Sequence, residues 1–313
     1  MAESNADGFR HEPVMVDEVV EALVVSPPGV ILDATAGGGG HSAALLERSE
    51  VHDVVGLDQD LDAVAAAGRR LAPFGARARV VHARFDRLDA VLDELGVDRI
   101  SGALFDLGVS SPQFDRPERG FSYRTDAPLD MRMDRTRALT ASHFVNEVDE
   151  AELRTVLQRY GDEPFAARIA RAVVRRRPIA GTAELADTVR DAIPAAARRR
   201  GGHPATRTFQ ALRIAVNDEL AVLPASLDAA VDRCAIGGRV AVLAYHSGED
   251  RLVKECFRHA ETGGCVCPPK LDCVCGAVPR GRLVRRGARK PAAAEIERNP
   301  RAASARLRVL ERR

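Results

Sequence analysis

The feature that most constrains this chain is a short apolar run that ends in glycine. Val30-Ile31-Leu32-Asp33 leads through Ala34-Thr35-Ala36 into Gly37-Gly38-Gly39-Gly40-His41, and helical sequence follows from Ser42. A buried strand handed directly to a helix across glycines opens a βαβ unit. Ahead of it, Val14 to Val25 has helical periodicity and Pro27-Pro28-Gly29 breaks the helix. Behind it the rhythm recurs: Val54 to Asp58 reads as a strand, Leu61 to Leu71 as a helix, Val80 to His82 as a strand, Leu88 to Leu95 as a helix, and Ile100 to Leu107 as a fourth strand. Strands alternating with helices predict an α/β fold with a doubly wound, mostly parallel sheet.

Beyond Gln113 the pattern changes. Up to Arg207 there is no clear strand, and helices are predicted over Glu150 to Tyr160, Phe165 to Arg177 and Ala183 to Ile193. The α/β rhythm then resumes with a helical region from Thr208 to Cys234, a strand at Arg239 to Tyr245, a helix at Glu249 to Ala260 and a last strand at Leu307 to Leu310. The expected organisation is a Rossmann-like domain built from residues 1–112 and 208–313, interrupted by an all-helical insertion over 113–207.

With 313 residues, 45% of them hydrophobic, the chain can bury a substantial core. No apolar run reaches the roughly 18 to 20 residues that a membrane span needs, and the polar N-terminus lacks a basic segment leading into an apolar one. The expected location is the cytoplasm, with no membrane partner. A net charge of +1 exerts no global pull on nucleic acid, so such a partner must be met by a local basic face. No sequence signal speaks to oligomeric state.

The glycine segment is where a ligand is expected. Glycines let the backbone turn sharply and approach a ligand held at a helix N-terminus. The spacing does not fit G-x-G-x-x-G, the pyrophosphate fingerprint of nicotinamide enzymes. Asp58 ends the second strand, where a carboxylate can accept hydrogen bonds from both ribose hydroxyls of an adenosine. Phe85 ends the third strand, at the height of an adenine ring. Each has a plainer reading: the glycines make a tight turn, Asp58 caps the following helix, His41 bonds backbone, and Phe85 belongs to the core.

The fourth strand leaves through Phe105-Asp106-Leu107-Gly108-Val109-Ser110-Ser111-Pro112-Gln113. Together with His11-Glu12-Pro13-Val14, Asp33 to His41, Arg119-Gly120-Phe121-Ser122, Pro128 to Asp134, His203 to Ile214, Tyr245-His246-Ser247 and Asn299-Pro300-Arg301, this loop makes the chain recognisable along its whole length. It resembles the RsmH family, also called MraW, the bacterial 16S ribosomal RNA cytidine N4-methyltransferases. The resemblance implies a Rossmann-like S-adenosylmethionine-dependent methyltransferase fold with an inserted helical domain. It places cofactor contacts on Gly39, Gly40, His41, Asp58, Phe85, Asp106 and Gln113, and implies as substrate a cytidine of the decoding region, within the small ribosomal subunit. Gly248 departs from the family's leucine in Tyr-His-Ser-Leu-Glu-Asp.

An exocyclic cytosine amine is a poor nucleophile because its lone pair is delocalised into the ring. Acceptors on Asp106, or on the turn of Ser110 and Ser111, can draw the amine toward tetrahedral geometry, with proximity to the methyl sulfonium supplying much of the rate. Asp106 can equally bind the cofactor. Tyr245 and His246 end a strand on the same edge as Asp106, where an aromatic can stack on a flipped base. From Tyr160 to Arg213 eleven arginines face five acidic residues, including Arg175-Arg176-Arg177 and Arg198-Arg199-Arg200. That basic helical stretch is a candidate phosphate cradle, with Arg207 and Arg213 favoured as site residues. Asp130, Arg132 and Asp134 alternate and are candidates for ordering a lid over the substrate, or else form an ordinary surface ion-pair set.

Cys265, Cys267, Cys273 and Cys275 run C-x-C-x5-C-x-C, which is not the C-x2-C knuckle spacing of structural zinc sites. They read as reduced thiols or a metal site rather than a disulfide framework, and no metal is assigned. Two other function classes stay in view: a methyltransferase acting on DNA or protein, and an RNA-binding assembly factor with a vestigial cofactor fold. The intact Asp58, Asp106 and Gln113 argue against the latter.

Overall fold

The computed structural model describes residues 13–198, 202–268 and 274–313, with the backbone alone at Ser111. His11, Glu12, Arg199, Arg200 and Cys273 lie outside the described residues. The chain divides into two compact units, one running over Val109–Glu219 and the other built from the residues up to Gly108 and from Leu220 to Arg313. Among the described residues no helix is long and apolar enough to cross a membrane.

The α/β unit holds seven strands: β1 (Gly29–Asp33), β2 (His52–Asp58), β3 (Ala78–His82), β4 (Ile100–Asp106), β5 (Cys234–Ala244), β6 (Gly281–Leu283) and β7 (Arg306–Arg312). They form one sheet in the order β3-β2-β1-β4-β5-β7-β6. The first five are parallel, while β7 runs antiparallel to both β5 and β6. Strand order reverses between β1 and β4, the position in an open parallel sheet where the carboxyl ends leave a crevice.

Side chains alternate along the strands, so neighbours in sequence serve different faces. Leu32, Val55, Leu57, Phe105 and Val242 join one buried cluster; Ile31, Val54, Leu104, Ala241 and Leu243 join another. Both faces are covered, which is why these strands read as continuous apolar runs. Each fully buried aliphatic chain contributes on the order of 1.5–3 kcal/mol.

The helical unit has its own buried cluster, with Val145, Leu157, Ile169, Ala170, Leu185, Val189 and Leu212 fully or almost fully covered. Its main helices span Glu150–Gly161, Ala166–Arg176, Thr182–Ala192 and Thr206–Asn217. The first is capped by Asp149, whose side chain accepts the Glu152 N–H, and it stops where Asp162 turns left-handed at φ 45°. Asn217, buried at the end of the last, donates to Met131 O at 2.8 Å and accepts the Met133 N–H at 2.8 Å. One amide thereby pins the loop that carries Asp130 and Arg132.

Several readings are revised. The region from Thr208 to Cys234 is two helices, Thr206–Asn217 and Glu219–Arg233, because Asp218 takes a left-handed conformation at φ 55° and ends the first. Cys234 opens β5, which begins five residues before Arg239. The third strand stops at His82, and Phe85 starts a single 3-10 turn. β6 has three residues, too few for periodicity to show, and exists through its pairing with β7.

Candidate active site

The carboxyl edge of the parallel strands collects the groups of interest in the α/β unit. β1, β2 and β4 all end in aspartate: Asp33, Asp58 and Asp106. β4 and β5 are parallel neighbours with Asp106 in register with Leu243, so Tyr245, one residue past β5, emerges beside Asp106. The Tyr245 hydroxyl donates to Asp106 Oδ1 at 2.6 Å. Burial, with the Asp106 charge adding, pushes the Tyr245 phenol well above its ordinary pKa, so it stays protonated and keeps donating. The Asp106 N–H in turn donates to Thr35 Oγ1 at 2.6 Å, tying β4 to the glycine turn.

His41 stands opposite. Its Nε2 lies 2.9 Å from Val14 O, which fixes that nitrogen as the donor, and its Nδ1 is 3.7 Å from Asp106 Oδ2. Burial lowers the His41 pKa, with Asp33 opposing, so the ring is neutral at pH 7. Asp33 sits beneath, accepting the Ser42 hydroxyl at 2.6 Å and the Thr35 N–H at 3.3 Å. Its own pKa is raised by burial, against the pull of the Ser42 bond.

The glycine turn and Asp58 form the second half of the site. Gly37 and Gly39 have φ of 52° and 74°, conformations that side chains other than glycine rarely adopt. The Gly37 N–H donates to Asp58 Oδ2 at 2.8 Å, and the Asp60 N–H to Asp58 Oδ1 at 2.8 Å. Asp58 does not cap the following helix: Asp60 does, accepting the Asp62 N–H at 3.0 Å. Asp58 is therefore held at the strand edge, and its pKa is raised to about 6, chiefly by burial.

A Cβ built on Gly37 would meet only Thr35 O, at 3.9 Å, so bare backbone faces open space beside the Asp58 carboxylate. That combination fits the ribose end of an adenosine. At Gly39 a Cβ would press on Ala67 at 3.2–3.3 Å, and at Gly40 it would collide with Pro13, so these glycines also serve close packing. Phe85 packs edge-on against Phe105 at 5.7 Å within the core cluster.

His246 turns toward its own helix. It is the N-cap of Ser247–Thr262, with Nδ1 accepting the Gly248 and Glu249 N–H groups at 3.2 and 3.4 Å. Glu249 replies by accepting the Tyr245 N–H at 2.7 Å and the His246 N–H at 3.2 Å. Glu249 is 1% exposed and sets the backbone of Tyr245. Sequence reasoning passed over it and Thr35; the His-x-x-Glu spacing of a reciprocal cap was the signal for Glu249. A Cβ at Gly248 would touch the His246 ring at 3.1 Å and Leu220 at 3.3 Å.

The remaining candidates belong to the helical unit. Ser110 is the N-cap of the short helix Ser111–Asp115, and its N–H donates to Oε1 of the buried Gln113 at 3.0 Å. Asp130 and Arg132 form a two-pronged ion pair at 2.7 and 2.9 Å, while Arg132 also donates to the Arg135 and Arg137 carbonyls. Arg213 pairs with Glu219 at 2.9 Å, both largely covered. Arg177 donates to the Val145 and Val148 carbonyls, closing a helix end. Arg207 is exposed, donates to Asp162 O at 3.2 Å, and lines a cavity of about 580 Å³ with Glu163, Phe165, Pro194, Arg198 and His203. Burial raises the Glu163 pKa there, with Arg207 opposing.

A profile described as the MraW methylase family matches residues 8–313. Among curated relatives, ribosomal RNA small subunit methyltransferase H of Frankia alni is 55% identical over 311 residues, covering 96% of this chain and 95% of that one. The protein of the same name from Symbiobacterium thermophilum is 52% identical over 308 residues, covering 96% of each. That from Mycobacterium tuberculosis is 52% identical over 324 residues, covering 99% of this chain and 81% of the relative.

Proposed function

This chain belongs to the MraW methylase family, and from that premise we propose that it transfers the methyl group of S-adenosylmethionine to the N4 amine of a cytidine in the decoding region of 16S ribosomal RNA. The observation that carries the reading is the Tyr245–Asp106 hydrogen bond at the carboxyl edge of β4 and β5, beside the glycine turn and Asp58.

S-adenosylmethionine, when bound, supplies an electrophilic methyl on a sulfonium. Gly39, Gly40, His41, Asp58, Phe85, Asp106 and Gln113 are the residues assigned to holding it, with Asp58 accepting the ribose hydroxyls. Asp106 has one carboxylate oxygen engaged by Tyr245. The carboxylate, whose Oδ2 lies 3.7 Å from His41 Nδ1, is assigned to accept an N–H of the cytosine amine. An amine donating to a carboxylate loses conjugation with its ring and gains nucleophilic character. Tyr245 holds the carboxylate in one orientation, and Thr35 fixes its backbone. Once nitrogen is alkylated its proton is acidic, so no strong general base is required. The carbonyls around Ser110 and Ser111 are assigned as further acceptors, Glu249 as the group that sets the Tyr245 backbone, and His246 as the cap of the helix that carries Glu249.

RNA recognition is assigned to the helical unit, where Arg207 and the basic surface around it meet phosphates. Arg213 and the Asp130–Arg132 pair shape that surface through their own ion pairs.

The test is transfer of labelled methyl from S-adenosylmethionine to small ribosomal subunits lacking native modifications, with nucleoside mass analysis. Label recovered as N4-methylcytidine is expected, and Asp106→Ala should abolish it. Label on another atom, or on DNA or protein alone, would overturn the substrate. Cofactor binding without transfer to any acceptor would return the chain to an assembly role.

A further inference from the structure

Among its described residues, the loop between the helix Ser247–Thr262 and β6 leaves its valines in solvent. Val266, Val274 and Val278 are 86%, 88% and 73% exposed. Sulfur converges there instead: the Sγ atoms of Cys265, Cys267 and Cys275 all lie within 4.8 Å of one another.

The backbone delivers them. Gly263 and Gly264 turn left-handed at φ 62° and 73° just before the first thiol, and Gly276 at 72° just after the third. The neck is closed by the Arg280 N–H donating to Ala260 O at 2.8 Å, and Gly263 packs against the Val278 backbone with no room for a Cβ. The Cys265 N–H donates to Thr262 O at 3.2 Å, fixing the loop's departure from the helix. Cys265 and Cys267 are half-buried on either side of exposed Val266, the alternation of extended backbone that sends residues i and i+2 to one side.

Three convergent thiols on a small exposed loop fit a soft, thiophilic ion. Zinc–sulfur bonds of about 2.3 Å in tetrahedral geometry place sulfurs about 3.8 Å apart. The separations here need to close by less than about 1 Å to reach that geometry. We propose that Cys265, Cys267 and Cys275 bind one zinc ion and that this ion staples the loop between the helix and β6. Each thiol gives its proton to solvent as its sulfur bonds the metal, with no change of oxidation state. The sequence also carries Cys273, two positions before Cys275 in a repeat of the Cys265-x-Cys267 spacing; it lies outside the described residues, and the proposal rests on the three described thiols. Iron–sulfur clusters use the same ligand type, and zinc is favoured because the three described thiols are enough to hold a single ion on a small exposed loop.

The test uses the full chain purified under reducing conditions from zinc-replete cells. Metal analysis should give about one zinc per chain. The combined variant Cys265→Ser, Cys267→Ser and Cys275→Ser should lose it, while Cys256→Ser, on the adjoining helix, should keep it. Cobalt exchanged for zinc should show a sulfur-to-cobalt charge-transfer band and the intense visible bands of a tetrahedral site, which decides the matter even if the triple variant does not fold. Absence of zinc together with no charge-transfer band in a folded chain would overturn the proposal. So would iron with inorganic sulfide, zinc retained by the triple variant, or an intact mass showing these thiols joined as disulfide.

Discussion

Tyr245 and Asp58 are the residues whose chemistry is most directly testable. Tyr245→Phe keeps the ring and removes a donor that orients Asp106. A hydrogen bond to a charged acceptor is worth about 1.5–3 kcal/mol, so the turnover rate should fall about 10- to 100-fold with cofactor affinity unchanged. Single-turnover kinetics alongside a binding titration separate the two quantities; an equal loss in both would make Tyr245 a cofactor contact. Asp58 titrates at about 6 because burial disfavours its charge. The folded carboxyl holds its proton more tightly than an unfolded one, so its contribution to stability is present at low pH and is lost as pH rises through 6. Cofactor binding runs the other way, since ribose hydroxyls donate to the ionised form. Cofactor affinity should weaken about tenfold per unit as pH drops below 6 and stay flat above it. Calorimetric titration across that range checks this, and a constant Kd would remove Asp58 from the binding surface.

At the scale of elements, the glycine turn and the helix behind it respond oppositely to the same substitution. Gly39→Ala places a side chain at φ 74° and against Ala67, a strain of about 1–2 kcal/mol from backbone conformation before any crowding. Thermal unfolding should shift down by a few degrees, with cofactor affinity reduced. Gly68→Ala lies in the helix Leu61–Leu71, where a Cβ meets nothing within 4 Å, and should stabilise by about 0.5–1 kcal/mol. If both variants melt alike, the turn is not the constrained element that its dihedrals indicate. The elements themselves were largely legible: the helix Leu61–Leu71 has the predicted ends, and β1, β2 and β4 begin or end within two residues of expectation. The break at Asp218 was not, because aspartate tolerates the left-handed conformation without announcing it as glycine does.

For the whole molecule, the described residues place one buried cluster in the helical unit and two on the faces of the sheet in the α/β unit. Ile169 is fully buried in the helical one. Ile169→Ala should cost that unit about 2–5 kcal/mol and leave the α/β unit folded, with its share of the S-adenosylmethionine contacts in place. Hydrogen exchange followed unit by unit, with a cofactor titration on the same sample, is the check. Parallel loss of both would mean that the two units unfold as one.

Sequence by itself determined the α/β class, the strand-to-glycine turn and the aspartates at strand ends, since these rest on periodicity and on backbone chemistry read over a few neighbouring residues. It named Asp106 and Tyr245 separately, yet they are 139 positions apart, and only the register of β4 with β5 makes them partners. Tertiary structure also decided which candidates were already engaged: Arg213 by Glu219, Arg132 by Asp130, and His246 by its own helix. In the same way, the irregular C-x-C spacing did not say whether sulfurs meet, and the closed neck of the loop brings three together. Which groups share a site depends on strand order, register and loop closure. Those are set by hydrogen bonds and packing between segments far apart in the chain, which a local pattern does not encode.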